Sequence, residues 1–131
     1  IALTTRLAPD LPPIMGDPVQ LQQVLLNLVA NSCEAMRDNS PGERQLLVSS
    51  QPAARDAIQI CVADQGRGIP PESLELIFDS FFTTKKEGLG LGLSVCRQII
   101  AAHDGVLWAE NTPEQGASFF FTLRTHSDET P

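Results

Sequence analysis

The segment from Pro18 to Arg37 constrains the fold more than any other, because its apolar residues recur at the three- and four-residue spacing of one helical face. Asp17 and Pro18 supply an N-cap and a proline at the first helical position, which predicts where this helix begins. A long amphipathic helix must bury its apolar stripe against a second layer of structure. The residues of the stripe are Leu21, Val24, Leu25, Leu28 and Val29.

Five segments rich in Val, Ile, Leu and Phe predict that the second layer is a β-sheet. They are Ile1 to Leu7, Gln45 to Ser50, Ala57 to Ala63, Val106 to Glu110 and Ala117 to Leu123. The first is predicted as an edge strand, and polar turns join the others into two hairpins. Two further helices are predicted, a short one from Pro70 to Ile77 and a longer one from Leu93 to His103. We therefore predict an α/β (α+β) two-layer sandwich, with about three helices on one face of a mixed, mostly antiparallel five-stranded sheet.

Length and charge restrict the class of protein. At 131 residues the chain is the size of one domain, and we expect residues 1–125 to form it and residues 126–131 to be a disordered tail. Nine Lys and Arg against sixteen Asp and Glu give a formal charge of -7, which argues against nucleic acid as the main partner. The longest apolar run contains Asn27 and is far shorter than a bilayer span, so no direct membrane contact is expected.

The cysteines favour a reducing compartment. Cys33, Cys61 and Cys96 are widely spaced among apolar neighbours, a pattern typical of small buried hydrophobes rather than of a disulfide framework. The chain begins at Ile1 without a signal peptide, so we expect a cytoplasmic piece cut from a longer protein. Whether that longer protein is anchored in a membrane stays open.

The long helix also carries a polar ridge, and two of its residues are asparagines one turn apart. Asn is a poor residue for a helix interior, costing up to ~0.7 kcal/mol relative to Ala. The ridge is either a solvated face, or a site at which the amide oxygens of Asn31 and Asn27 coordinate a hard cation such as Mg²⁺. Its residues are Gln20, Gln23, Asn27, Asn31 and Glu34.

Asp64 follows a predicted strand and precedes two glycines, Gly66 and Gly68. Glycine permits a positive φ and lets a flat ligand approach the backbone. The Asp64 carboxylate could then accept a hydrogen bond from an exocyclic amine such as that of adenine. The alternative is an ordinary Asp-led turn between a strand and a helix.

A second glycine cluster, Gly88 to Gly92, leads directly into a predicted helix. Amide groups at a helix start form an anion site, and glycines let a phosphate chain come close. The segment just before this cluster carries two hydroxyl groups and two positive charges, on Thr83, Thr84, Lys85 and Lys86. The cluster lacks the ending of a P-loop and the spacing of a dinucleotide fingerprint, so a surface loop is the alternative.

Taken in order, these motifs resemble the nucleotide-binding domain of sensor histidine kinases, which belongs with gyrase, MutL and a heat-shock chaperone to the GHKL superfamily and its Bergerat ATP-binding fold. QLQQVLLNLVANSCEAM resembles the N box, DQGRGIP the first glycine box, FDSFFTTK the F box, GLGLGLSVC the second glycine box and GASFFF the last strand. The resemblance covers roughly Ile1 to Leu123. The short connector after FFTTK is most similar to kinases of the nitrogen-regulation, oxygen-sensing and dicarboxylate-sensing type.

The resemblance implies a role for each matching residue. It places Mg²⁺ on Asn31, adenine recognition on Asp64, and catalytic positioning on Asn27, Asn31 and Lys85, with Lys85 touching the γ-phosphate. The ATP-binding positions that it implies are Asn27, Asn31, Glu34, Asp64, Gly66, Gly68, Ile69, Thr84, Lys85, Gly88, Leu89, Gly90, Leu91, Gly92 and Leu93. The F-box aromatics are Phe78, Phe81 and Phe82. Ser80 and Asp104 depart from the pattern of this type of kinase, at positions without a phosphate or adenine role.

The implied activity is transfer of the γ-phosphoryl group of ATP to a histidine on an upstream dimerisation hairpin of the parent protein, with a response regulator as an indirect partner. Neither His103 nor His126 lies in a segment that resembles the acceptor motif. Superfamily members that hydrolyse ATP carry a general-base Glu where this chain has Asn27, which opposes hydrolysis. A nucleotide-sensing module without transfer is the other alternative.

Overall fold

The computed structural model describes residues 2–9, 11, 14, 16–53, 56–79, 92–112 and 115–125. Two α-helices and five strands lie within these ranges, together with three single-turn 3₁₀ helices. The helices and strands are β1 (Ala2–Leu7), α1 (Pro18–Ala35), β2 (Gln45–Ala53), β3 (Ala57–Ala63), α2 (Gly92–Ala102), β4 (Leu107–Asn111) and β5 (Ala117–Arg124). The 3₁₀ turns are Pro41–Glu43, Pro71–Ser73 and Leu76–Phe78.

The strands form one mixed sheet in the order β1-β2-β3-β5-β4, with β1 at an edge. β1 runs parallel to β2, and the other three pairings are antiparallel. The parallel pair follows from the connection, because α1 lies between β1 and β2 and returns the chain to the same end of the sheet. The prediction of a mixed, mostly antiparallel five-stranded sheet is confirmed.

The prediction of a third helix from Pro70 to Ile77 is wrong in detail. This segment forms the two 3₁₀ turns Pro71–Ser73 and Leu76–Phe78, closed by the bonds from Ser73 N–H to the Pro70 carbonyl (2.8 Å) and from Phe78 N–H to the Glu75 carbonyl (3.3 Å). Nucleating an α-helix is unfavourable, and a segment this short gains few bonds to offset that cost. The chain therefore takes the tighter turns instead.

The core lies between the two α-helices and one face of the sheet. Alternate residues of β5 point into it, so Phe119 and Phe121 are buried whereas Phe120 is half-buried on the open face and stacks on Trp108. The α1 stripe is buried as predicted at Val24 and Leu28. Among the described residues, the largest fully buried side chains are Phe119, Phe121, Leu28, Met36, Ile100, Leu107, Val24, Val62, Cys96 and Ser32.

His103, which follows α2, connects the two helices. The Asp17 carboxylate caps α1 by accepting from the Val19 and Gln20 N–H groups, at 2.9 and 3.3 Å. The Asp17 N–H in turn donates to His103 Nε2 at 3.0 Å, and His103 Nδ1 lies 2.8 Å from the Ile99 carbonyl. Since Nε2 accepts, Nδ1 carries the proton and donates. These contacts give His103 a structural role at the end of the helix pair.

The three cysteines are free thiols, and Cys96 is the fully buried one. Burial raises the pKa of the Cys96 thiol, against an opposing hydrogen bond from Asn27. Burial also raises the pKa of the Cys61 thiol, on the open face of the sheet beside Ser118 and Ser49. Of the helices in the described ranges, none combines the length and apolar character that a bilayer crossing needs. The predicted tail, residues 126–131, lies outside the described residues.

Candidate functional site

Asp64 comes directly after β3 and is held in place by the neighbouring strand. Its N–H donates to the Ala117 carbonyl at 2.9 Å, and its Oδ1 accepts from the N–H groups of Gly66 (2.8 Å) and Ala117 (3.1 Å). The residue is 4% exposed, and Oδ2 has no hydrogen-bond partner in the described part of the chain. An unpaired buried carboxylate oxygen is energetically costly. Oδ2 is therefore an acceptor available to a ligand that carries a donor.

The turn after Asp64 packs against the end of α1. A Cβ placed on Gly66 would lie 2.7 Å from both the Cβ and the carbonyl oxygen of Ala35. The Gln65 N–H contacts Met36 Sδ at 3.4 Å, and Asn39 Nδ2 donates to the Gln65 carbonyl at 2.7 Å. Of these two glycines, which both permit a positive φ, Gly68 adopts one, at +79°, and Gly66 does not. Gly66 is required for the close approach to α1.

The other side of the turn packs against the connection between β4 and β5. Asn111 exchanges two hydrogen bonds with the backbone of Ile69, each of 2.7 Å. Gln115 Nε2 donates to the Gln65 carbonyl at 2.9 Å, and Gly116, at φ +106°, lies directly against the Asp64 carbonyl. The turn from Asp64 to Ile69 is thus held between α1 and the end of the sheet. Its shape is set by residues far away in sequence.

The two asparagines of the polar ridge are half-buried, whereas Gln20 and Gln23 are exposed. Asn27 lies beside the first turn of α2, since a Cβ on Gly92 would be 3.9 Å from its Oδ1, and it hydrogen-bonds the Cys96 thiol. Asn31 follows one turn later on the same ridge. Glu34, half-buried as well, forms an ion pair with Arg37 at 3.2 Å. The ridge therefore runs from the start of α2 toward the turn after Asp64.

The second glycine cluster is described only where it enters the helix. Gly92 begins α2, and Leu93 packs against the core. Six other residues predicted for the site lie outside the described residues, namely Thr84, Lys85, Gly88, Leu89, Gly90 and Leu91. Phe81 and Phe82 of the F box lie outside them as well. Phe78 is described, and it is buried under the Arg97 guanidinium, 4.4 Å from its ring centroid.

Residues 16–127 match the profile of the histidine kinase-, DNA gyrase B- and HSP90-like ATPases. The chain belongs to this family. It is 47% identical over 124 residues to the sensor histidine kinase TmoS of Ectopseudomonas mendocina, covering 94% of this chain and 13% of the relative. It is 44% identical over 123 residues to the sensor protein FixL of Bradyrhizobium diazoefficiens, covering 94% of this chain and 24% of the relative. The chain therefore spans a quarter or less of these two proteins.

The fold of this chain is similar to solved structures of histidine kinases. The nucleotide-free catalytic domain of the histidine kinase ThkA superposes with a TM-score of 0.82 at 35% identity, covering 95% of this chain and 78% of that one. Full-length ShkA in complex with AMPPNP gives a TM-score of 0.82 at 26% identity, covering 99% of this chain and 27% of that one. The fold is that of histidine kinase catalytic domains.

Two polar residues, Ser32 and Asn111, were not singled out from the sequence. Ser32 lies on the buried face of α1, at the four-residue spacing of Val24 and Leu28; it is 0% exposed, and its Oγ has no hydrogen-bond partner in the described ranges. The sequence feature that could have identified Ser32 is a polar residue at a helix position where the spacing predicts an apolar one. Asn111 had no comparable signal, because a polar residue at the end of a strand is ordinary.

Proposed function

We propose that this chain binds Mg²⁺-ATP and donates the γ-phosphoryl group to a histidine on a separate helical hairpin of the parent protein, as the catalytic domain of a sensor histidine kinase. The observation that carries the proposal is the buried Oδ2 of Asp64, which has no hydrogen-bond partner among the described residues. The site belongs to the ATPase family matched by residues 16–127. A response regulator is the indirect partner, and the use of ATP places the domain in the cytoplasm.

Recognition of adenine follows from the donors and acceptors present. The exocyclic amine of adenine is a donor, and an ionised carboxylate only accepts. Guanine has a carbonyl oxygen at the corresponding position, so it would bring a second acceptor against Asp64. Oδ1 already has two backbone donors, which orients the carboxylate and leaves Oδ2 for the base. The site should therefore select ATP over GTP.

The phosphates belong at the start of α2. The first amide groups of a helix attract anions, and Gly92 presents no side chain there. Asn27 lies beside this end of the helix, and Asn31 is one turn away. We assign to the same phosphates the residues of the second glycine box, Gly88 to Gly92, with Thr84 and Lys85 before them. Glu34, Gly66, Gly68, Ile69 and Leu93 complete the proposed nucleotide contacts.

Mg²⁺ takes oxygen ligands, and the half-buried Asn31 amide offers one beside the phosphate end of the ridge. Bound with ATP, the ion would neutralise charge on the transferring phosphate. The protein contributes mainly by positioning the nucleotide and excluding water. Asn27 cannot act as a general base, since an amide does not take up a proton near neutral pH. This favours a histidine nucleophile over water.

The test is transfer in trans. With γ-labelled Mg²⁺-ATP, the chain alone should remain unlabelled and release phosphate only slowly. Adding the parent's hairpin at high concentration should place an acid-labile, alkali-stable label on that hairpin, and a hairpin whose histidine is replaced by Gln should stay unlabelled. Brisk phosphate release from the chain alone would show a hydrolase. Bound ATP with an unlabelled wild-type hairpin would show a sensing module.

Ser32→Ala should have effects of opposite sign on stability and on binding. Because the buried Ser32 Oγ has no hydrogen-bond partner in the described ranges and Ser32 directly follows Asn31, we propose that it bonds the nucleotide. Removing the hydroxyl should leave the free domain as stable or slightly more stable, whereas loss of the proposed bond should weaken ATP binding about five- to tenfold. Thermal unfolding and calorimetry would measure the two effects. Ser118→Ala is the matched control, since that buried serine bonds Cys61 on the open face. A destabilised Ser32→Ala domain with unchanged ATP affinity would show that Ser32 is structural.

A further inference from the structure

Asn111, the last residue of β4, holds the backbone of Ile69 across 42 residues of sequence. The Ile69 N–H donates to Asn111 Oδ1 at 2.7 Å, and Asn111 Nδ2 donates to the Ile69 carbonyl at 2.7 Å. We propose that Asn111 is a positioning residue for the nucleotide, which acts by fixing the Gly68–Ile69 backbone beside the adenine pocket. This inference rests on the proposed function.

One residue pair of the sheet fixes both ends of the turn from Asp64 to Ile69. Asn111 pairs with Ala117 in the β4–β5 ladder. The backbone of Ala117 holds Asp64 through both its carbonyl and its N–H, at 2.9 and 3.1 Å. The side chain of Asn111 holds Ile69 at the other end of the same turn. The distance between the adenine-reading carboxylate and the Ile69 backbone is therefore set by this pair of residues.

The contact requires a carboxamide. A side-chain amide presents one acceptor and a donor group, as a peptide does, so it can bond both backbone groups of Ile69 at once. Aspartate would keep the bond from the Ile69 N–H but would place a second acceptor against the Ile69 carbonyl. Alanine would lose both bonds. The amide also packs on Gly68, since a Cβ there would lie 3.1 Å from Asn111 Oδ1.

Gly68 explains why the turn needs an external restraint. It adopts φ +79°, and glycine has more backbone freedom than any other residue. Without the Asn111 bonds, the Gly68–Ile69 peptide could rotate while Asp64 stayed bonded to Ala117 of β5. Binding ATP would then require ordering that peptide, and the lost entropy would appear as weaker affinity.

The experiment compares wild type, Asn111→Ala and Asn111→Asp. At a temperature far below unfolding, both variants should bind Mg²⁺-ATP and adenosine with about five- to tenfold lower affinity in calorimetry, and Asn111→Asp should bind no better than Asn111→Ala. The amide of Ile69 should exchange its hydrogen faster in both. Ile58→Val, in the core at the far end of β3, is the control for stability: it should lower Tm without changing either property.

The outcomes separate this inference from the proposed function. If wild type binds ATP and the Asn111 variants bind it equally well, Asn111 does not position the nucleotide. If Ile58→Val loses as much affinity as Asn111→Ala, the effect is one of stability, and the inference is again wrong. If wild type does not bind ATP, the proposed function fails, and the inference that depends on it fails with it. Faster hydrogen exchange at the Ile69 amide in the Asn111 variants would then still show that the Asn111–Ile69 hydrogen bonds are a structural contact.

Discussion

Asp64→Asn should reduce the affinity for ATP by about two orders of magnitude while leaving the fold intact. The amide oxygen can keep the position of Oδ1 and accept from the Gly66 and Ala117 N–H groups. The amide nitrogen must then take the position of Oδ2, where it points a donor at the donor amine of adenine. Losing a buried hydrogen bond to a charged group and leaving a donor unpaired costs roughly 2–4 kcal/mol, or ~10²-fold in affinity.

Calorimetry with ATP and GTP would measure this effect and its selectivity. The new amide donor can bond the carbonyl of guanine, so GTP should bind the variant better than it binds wild type. The ratio of ATP to GTP affinity should therefore fall by more than the ATP affinity itself. Asp56→Asn is the matched control: Asp56 is exposed at φ +58°, a conformation that asparagine adopts readily, and it lies at the opposite end of β3. Unchanged ATP affinity in Asp64→Asn, or wild-type preference for GTP, would contradict the adenine pocket.

Periodicity and turn residues were enough to predict the layers of this fold. The apolar stripe of α1, its Asp17 cap and the apolar segments bounded by turns are local patterns that tertiary contacts reinforce. They predicted the five strands and both long helices to within three residues at each end. The short helix failed because a 3₁₀ turn and a short α-helix have nearly the same local signals, and the choice depends on a few hydrogen bonds.

The candidate site was predictable where chemistry and local sequence coincide. Asp64 was identified from a strand followed by glycines, and its buried Oδ2 has no partner within the part of the chain that the structure describes. The sequence could not show what constrains Gly66, because that constraint is the surface of α1 rather than its own φ. Asn111 could not be found, since its partner Ile69 is distant in sequence and the pairing exists only once β4 and β5 are in register.

Gly66→Ala should damage both stability and binding. The added Cβ would lie 2.7 Å from the Cβ and the carbonyl oxygen of Ala35, closer than real Cβ contacts allow. The turn must move away from α1, and the Gly66 N–H that orients the Asp64 carboxylate moves with it. Overpacking of this kind costs typically ~1–3 kcal/mol. We expect that loss in thermal unfolding, together with ATP affinity lowered by at least about tenfold.

A second substitution tests whether the contact with α1 is the cause. Ala35→Gly removes the Cβ clash but not the clash with the backbone carbonyl. The double variant Gly66→Ala, Ala35→Gly should therefore recover part of the affinity. Ala35→Gly alone costs up to about 1 kcal/mol of helix stability. Gly42→Ala is the control, because a Cβ there would meet no atom of the described residues within 4 Å. If the double variant binds no better than Gly66→Ala, the Ala35 Cβ does not contribute to the loss of affinity. The displacement of the turn would then come from the Ala35 backbone carbonyl, which the second substitution leaves in place.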